Sequence, residues 1–178
     1  MKRLHKALIA SLTTASLLVL ASFSTLAVAE QNGGDTNNHF TARLNGFQET
    51  PTMFSTGTGD FTATLSADGT TLSYTLSYTG LTAASAAHIH LGETGIAGGV
   101  SAFLCGGGGK PSCPASSGTV SGTITAADII GPASQGLAAG AFANFLTSLR
   151  AGATYVNVHT AAHPGGEIRG QIATGESD

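Results

Sequence analysis

The sequence predicts a mainly β protein, an antiparallel, Greek-key-like β-sandwich of about eight strands with one helical crossover. The 25 glycines among 178 residues, together with many β-branched side chains, disfavour long helices. Short runs alternate apolar side chains with serine or threonine, which is typical of strands with one buried face. Turn residues separate these runs at short intervals, as in sandwiches and barrels.

The clearest pair of strands flanks Asp68 and Gly69. Residues 61–66 alternate before this turn signal, and residues 72–79 alternate leucine or tyrosine with hydroxyl side chains after it. The same period on both sides of a turn predicts an antiparallel hairpin. The other predicted strands are Thr41–Phe47, Ala86–Leu91, Val100–Leu104, Gly118–Thr123, Thr154–His159 and Glu167–Ile172.

One segment has a different period. Leucine and phenylalanine recur at near-helical spacing through Ser134–Leu149, and Arg150 and Gly152 follow, as is common where a helix ends. Thr125–Asp128 predicts a short helical turn before this segment. We expect a helical crossover that caps one end of the sandwich.

The chain is predicted to have four segments. Residues 1–29 combine a basic start, an apolar stretch and an Ala-Val-Ala cleavage site, the pattern of a secretory signal peptide. The apolar stretch is also long enough for an uncleaved membrane anchor, but the cleavage site favours removal. Residues 30–39 are predicted to be a flexible arm, 40–173 the domain and 174–178 a C-terminal tail. The sequence therefore predicts a secreted or periplasmic protein with no transmembrane segment after signal cleavage.

The charge balance argues against a nucleic-acid partner. The formal net charge is −3, and removal of the leader with Lys2, Arg3 and Lys6 leaves four cations against ten carboxylates, a balance of −6. Four scattered cations are too few to neutralise a run of phosphates. We expect instead an extracellular or envelope partner, whose identity the sequence does not specify.

Cys105 and Cys113 are the two cysteines of the chain, and they bracket a glycine-rich loop. Their spacing differs from Cys-x-x-Cys, and no further cysteine exists to complete a zinc knuckle. Both facts disfavour a redox pair or two thiolate metal ligands. In an oxidising compartment the pair predicts a disulfide that closes the loop.

Histidines are concentrated at two places in the predicted strands. Side chains alternate along a strand, so His88 and His90 share one face while Ile89 points to the other. By the same alternation, Asn157 and His159 lie on a polar face of their strand. If the aliphatic residues between them build the common core, the polar side chains gather on the opposite face of the sheet.

Imidazoles from separate strands, within cross-strand reach of one another, can form a nitrogen-rich metal site. His88, His90 and His159 are candidate ligands, with His163 as a candidate fourth. Copper and zinc are the candidate ions, because imidazole suits them whereas magnesium and calcium prefer oxygen. The alternative is structural: His88 and His90 bond to the backbone or to Glu167 and hold the sheet together.

Further polar residues are expected to support these histidines. Glu93 or Glu167 is a candidate to orient a ring or to complete coordination, and Asn157 shares the polar face. Arg169 is expected to form a structural ion pair with a neighbouring carboxylate, with anion binding as the alternative. No catalytic residue is predicted, since the sequence contains no serine-centred nucleophile elbow.

Four motifs resemble the CHRD domain family, first described in the developmental protein chordin and widespread in exported bacterial proteins. They are Leu44–Pro51, Ala87–Gly92, Tyr155–Thr160 and Pro164–Gln171, in the family's order. The resemblance runs from about Phe40 to Ile172. It implies a secreted, extracellular, β-rich module whose biochemical role is mostly undefined. We expect this module to be a non-enzymatic binding or structural one. Chordin's capture of growth factors is not implied, because its cysteine-rich modules have no counterpart here.

A second, fainter similarity is to copper/zinc superoxide dismutases. It covers the His-x-His strand at 88–92 and the expected sandwich with a disulfide-tied loop. The clustered histidine and aspartate of that family's zinc loop are missing from the sequence. The similarity nevertheless provides the alternative function, a copper-dependent redox enzyme of superoxide dismutase-like architecture.

Overall fold

A computed structural model describes residues 38–175; the predicted leader, most of the predicted arm and residues 176–178 lie outside this range. The described residues form nine strands and one α-helix. The elements are β1 (His39–Asn45), β2 (Thr58–Leu65), β3 (Leu72–Thr79), β4 (Ala84–Leu91), β5 (Gly99–Cys105), β6 (Gly118–Ile124), α1 (Phe142–Arg150), β7 (Thr154–Thr160), β8 (Ile168–Gln171) and β9 (Ala173–Thr174).

All nine strands belong to one antiparallel sheet. Its order is β5-β4-β7-β8-β1-β2-β3-β6, with β9 paired to β1. The two terminal strands of this order, β5 and β6, contact each other, so the sheet is nearly barrel-shaped. The Tyr74 hydroxyl donates a 2.7 Å hydrogen bond from β3 to the Leu104 carbonyl on β5. The mainly β, antiparallel prediction is confirmed; the Greek-key-like sandwich is not, because one continuous hydrogen-bonded sheet includes every strand.

The core lies inside this curved sheet and forms one cluster. Every second residue of the strands points inward, as the alternation of apolar and hydroxyl residues predicts. Phe61, Leu76 and Val158 are among the inward residues and are at most 1% exposed. Burying a side chain of this size contributes roughly 1.5–3 kcal/mol. The alternate, outward positions of β2 and β3 carry mostly threonine and serine, which are exposed or half-buried.

The α-helix is shorter than predicted. It begins at Phe142, whereas the helical spacing predicts a start at Ser134, which lies in a separate 3-10 turn, Ala133–Gln135. Gly136 and Gly140 adopt φ angles of +88° and +78°, which a right-handed helix cannot contain. The helix still buries Phe145 and Leu149 in the core. The short turn predicted at Thr125–Asp128 is confirmed as the 3-10 turn Ala126–Asp128.

The remaining predicted elements agree with the structure to within three residues at each boundary. The two-residue strand β9 was not predicted, because two residues are too few to show a period. The predicted disulfide between Cys105 and Cys113 is present and closes the loop after β5. Across residues 38–175, no helix has both the length and the hydropathy required to cross a membrane.

Candidate metal centre

The strand alternation places the three candidate histidines as the sequence predicted. Ile89 on β4 and Val158 on β7 point into the core and are fully buried. His88, His90 and His159 therefore lie on the other face of the neighbouring strands β4 and β7. They are nonetheless buried, with 9%, 8% and 9% of their surface exposed.

Three loops bury this second face of the sheet. The loop after β1 contributes Glu49, which accepts a hydrogen bond from Asn157. The loop after β4 contributes the Gly98 carbonyl, which contacts His90. The loop after β7 contributes the Pro164 carbonyl, which contacts His159. The polar face predicted from the alternation thus has loops above it rather than solvent.

One ring nitrogen from each histidine forms a compact group. The three candidate ligand atoms all lie within 4.8 Å of one another, and no other such group of three or more His, Cys, Asp or Glu occurs in the described part of the chain. His88 Nδ1 lies 2.9 Å from His159 Nε2. The ring centroids are 4.7 to 5.9 Å apart. This histidine triad (His88, His90 and His159) could hold a metal ion.

The hydrogen bonds around the triad determine which nitrogens carry protons in the neutral rings. His90 Nδ1 lies 3.0 Å from the Gly98 carbonyl, and His159 Nδ1 lies 3.0 Å from the Pro164 carbonyl. A carbonyl only accepts, so both Nδ1 atoms must donate. His159 Nε2 then has a lone pair and accepts from His88 Nδ1. Each of the three Nε2 atoms consequently carries a lone pair.

Two of these lone pairs are unused. His88 Nε2 and His90 Nε2 are buried and find no hydrogen-bond partner among residues 38–175. Burial lowers the pKa of His88 to about 3, with further lowering by His159 and His90. Burial likewise lowers the pKa of His90 to about 4, opposed by its bond to Gly98. The pKa of His159 is also lowered by burial. The triad is therefore neutral at pH 7, the state in which imidazole binds metals.

Aromatic rings and one cation surround the triad. Phe103 packs edge-on against His88 with ring centroids 4.5 Å apart. Tyr155 stacks on His90 with centroids 4.8 Å apart and planes 7° from parallel. The Arg169 guanidinium lies 3.4 Å from the Tyr155 ring centroid. Since β4 and β8 flank β7, the phenol ring is sandwiched between the imidazole and the guanidinium.

Comparison with known families identifies the domain that carries this triad. The family model for the CHRD domain matches residues 40–172, which include all three histidines and the strands that hold them. The chain belongs to the CHRD domain family. No curated protein and no solved structure matches it. The resemblance to superoxide dismutases has no support from these comparisons.

In this CHRD domain, the structure does not bring His163, the predicted candidate fourth ligand, into the triad. His163 is not part of the group of converging ligand atoms. It follows the end of β7, where strand alternation no longer fixes the direction of a side chain. It lines a groove of about 420 Å³ between residues 49–53 and 162–166.

The two predicted glutamates contact other partners than the histidines. Glu93 is exposed, and its backbone carbonyl oxygen accepts a hydrogen bond from the Arg169 guanidinium. The Glu167 carboxylate accepts from the hydroxyls of Ser55, at 2.9 Å, and Thr160, at 2.7 Å. Glu167 thus ties the loop before β2 to the end of β7. Of the two bonds that the structural alternative offered, a bond from a histidine to the backbone occurs at His90, whereas the Glu167 carboxylate bonds Ser55 and Thr160 and neither His88 nor His90.

Arg169 does not form the predicted ion pair. Within the described residues, no carboxylate approaches its guanidinium to 4.0 Å. It donates instead to the Thr50 hydroxyl at 3.2 Å and to the carbonyls of Glu93 and Ile96 at 2.9 and 2.7 Å. The residue is 2% exposed. It therefore connects two of the covering loops to the sheet.

Glu49 is the site residue that the sequence reasoning missed. It is 8% exposed, and its Oε1 accepts a 2.6 Å hydrogen bond from Asn157 Nδ2. Burial raises the pKa of this carboxyl group, while the nearby Arg169 and the bond from Asn157 oppose the rise. Glu49 follows a 3-10 turn, where a period of two gives no direction. Its position within the motif Leu44–Pro51 is the feature of the sequence that could have indicated a role at the site.

Proposed function

We propose that this CHRD domain is an exported, non-enzymatic binding module that holds one copper or zinc ion through His88, His90 and His159. The observation that carries the proposal is the convergence of the three imidazole rings, with one ring nitrogen of each within 4.8 Å of the others, while the Nε2 atoms of His88 and His90 are buried without a partner. A buried polar atom that lacks a partner costs roughly 1–3 kcal/mol. A bound ion would remove this cost at both atoms.

The chemistry of the donors fits a transition metal. Imidazole nitrogen is a ligand for copper and zinc, whereas magnesium and calcium prefer oxygen. The Gly98 and Pro164 carbonyls hold the rings of His90 and His159 through their Nδ1 atoms, the usual outer support of a metal-binding histidine. When bound, the ion would cross-link β4 and β7 by accepting electron pairs from both strands.

Burial of the triad favours storage or attachment over catalysis. Each of the three histidines is less than a tenth exposed, and the loops that cover them are held by Arg169 and Asn157. A metal held in this way suits sequestration or adhesion at the cell surface. Turnover of superoxide by the copper-loaded protein would instead support a copper-dependent redox enzyme.

Metal analysis of the purified chain tests the proposal. After incubation with copper or zinc and removal of free ions, we expect about one ion per chain in the parent and none in a His88→Ala, His90→Ala variant. A His39→Ala, His163→Ala variant is the matched control, because it removes two histidines outside the triad, and it should keep the ion. Circular dichroism establishes that each variant is folded. Equal metal in the parent and the triad variant would overturn the proposal.

Export rests on the leader pattern of residues 1–29, and the disulfide is consistent with an oxidising compartment. We expect the mature chain to begin at Glu30 and to be recovered from the periplasm or the medium. Mass spectrometry of the recovered protein measures its first residue. Retention of the full-length chain inside the cell would contradict export.

A further inference from the structure

A half-buried phenylalanine covers the histidine triad on the side of β5. Phe103 lies on β5, directly opposite His88 in the pairing of β5 with β4. The two ring centroids are 4.5 Å apart and the ring planes are 85° from parallel, so the rings are in edge-to-face contact. Phe103 is half-buried, whereas only 9% of His88 is exposed. The phenyl ring therefore separates His88 from solvent on this side.

Two glycines of the loop after β5 pack against the same ring. A Cβ atom added to Gly107 would lie 2.6 Å from a carbon of the Phe103 ring, and one added to Gly108 would lie 2.7 Å from another. Any larger residue at these positions would have to displace the ring. The backbone of the loop thus lies directly against Phe103, and the ring contacts both the loop and His88.

The loop is itself fixed at two points. The disulfide joins it to β5 through Cys113 and Cys105, and Cys105 is fully buried. Within the loop, the Lys110 ammonium donates to the Asp128 carboxylate and to the Thr123 carbonyl, at 2.6 Å each. The first tie anchors the loop to β5, and the second anchors it near the end of β6. Outward rotation of Phe103 therefore requires the loop to move.

The other covers of the triad are held by hydrogen bonds. The Gly98 carbonyl contacts His90 Nδ1 and the Pro164 carbonyl contacts His159 Nδ1, each at 3.0 Å. Arg169 donates three further hydrogen bonds to the covering loops. Displacement of Phe103 leaves all of these bonds intact, because a phenyl ring has no polar atom and makes van der Waals contacts alone. The side of β5 is therefore the least costly place to uncover the triad.

We propose that Phe103 and the loop at residues 106–112 form a gate, through which a metal ion reaches and leaves the histidine triad. This inference rests on the proposed function, since it concerns the exchange of the ion held by that site. The gate supplies no ligand, and it closes over the site in the same way before and after binding. It should therefore change the rates of metal uptake and release in equal measure, and leave the affinity, their ratio, unchanged.

Stopped-flow kinetics with zinc(II) measures both rates, and copper(II) replaces zinc(II) if the chain takes up only copper. A chromophoric chelator in excess records release, and a weaker indicator records uptake. In Phe103→Ala we expect both rates to rise about tenfold, the equivalent of about 1.4 kcal/mol, with an unchanged dissociation constant. Phe54→Ala is the matched control, since Phe54 is 82% exposed and packs on Phe47, and it should keep the rates of the parent.

The disulfide tests the contribution of the loop. Replacing Cys105 and Cys113 by serine should also raise both rates, because it releases the loop from β5. In the Phe103→Ala background the same replacement should add less than about twofold, since the loop acts through the phenyl ring. A general loss of stability would instead multiply the two effects. Circular dichroism establishes that each variant is folded, and Phe103→Ala tests the gate by itself if the serine variant is not.

The outcomes separate a failure of the gate from a failure of the metal site. Unchanged rates in Phe103→Ala would overturn the gate. Faster release with unchanged uptake would also overturn it, because that pattern means that Phe103 stabilises the metal-bound state. Fully multiplicative effects of Phe103→Ala and the serine replacement would overturn the role of the loop. In each of these cases the parent still binds its ion, whereas a parent that takes up neither zinc nor copper refutes the metal site and the gate with it.

Discussion

Substitution of Arg169 tests how the loops are held over the polar face of the sheet. The guanidinium donates to Thr50 at 3.2 Å, Glu93 at 2.9 Å and Ile96 at 2.7 Å, and it stacks on Tyr155 at 3.4 Å. Arg169→Lys keeps the positive charge but replaces a planar group carrying several N–H donors by a single ammonium. The variant therefore removes the geometry of the contacts and not the charge.

The expected loss of stability follows from these contacts. One ammonium cannot reach all three acceptors and stack on the ring, so we count at least two hydrogen bonds as lost. A hydrogen bond to a charged group contributes about 1.5–3 kcal/mol, which gives a loss of about 3 kcal/mol. With an m-value of about 2 kcal/mol/M, the urea midpoint should fall by about 1.5 M.

Urea denaturation followed by circular dichroism measures this difference. Arg43→Lys is the matched control, because the Arg43 side chain is 95% exposed and lies 4.0 Å from Asp60. An exposed pair of this kind is worth little, so the control should stay within about 0.5 kcal/mol of the parent. If Arg169→Lys is as stable as Arg43→Lys, the guanidinium does not hold the loops over the sheet.

Two further properties are predicted. Replacing Cys105 and Cys113 by serine should lower the free energy of unfolding by about 2.5 kcal/mol, since the bridge closes a loop with a sequence separation of 8; unchanged thermal unfolding would contradict this. In the metal-free protein, the pKa values of His88 and His90, about 3 and 4, lie below the ordinary value of 6.5, so the unfolded chain binds more protons between about pH 4 and 6.5. Stability should therefore fall as the pH drops through this window, by up to about 1.4 kcal/mol per pH unit for each ring. The His88→Ala, His90→Ala variant should show a flatter dependence, and an equally steep profile in both proteins would argue against the burial of neutral rings.

The convergence of the triad could be predicted because it depends on a regular property of strands. Alternation fixes the faces of His88, His90 and His159 once Ile89 and Val158 are assigned to the core. The pairing of β4 with β7 provides the remaining condition, and the register places Asn157 opposite His88. The positions of the hairpin and of the other strands could be predicted for the same reason.

Residues in loops could not be placed in this way. Glu49, His163 and Glu93 lie outside the strands, where no period indicates the direction of a side chain. The curvature of the sheet also could not be predicted from a local sequence pattern. The strands of a sandwich and of a nearly closed sheet show the same alternation of apolar and polar side chains. The interruption of the predicted helix depended on two glycines whose left-handed conformation only the structure reveals.

The proposed binding of one metal ion by His88, His90 and His159 can be observed by anomalous diffraction at the copper absorption edge, from crystals of the copper-loaded chain. We predict a single strong anomalous peak among the three imidazole rings, between β4 and β7. A peak at His39 or His163 instead, or no peak at the triad at full copper loading, would contradict the claim.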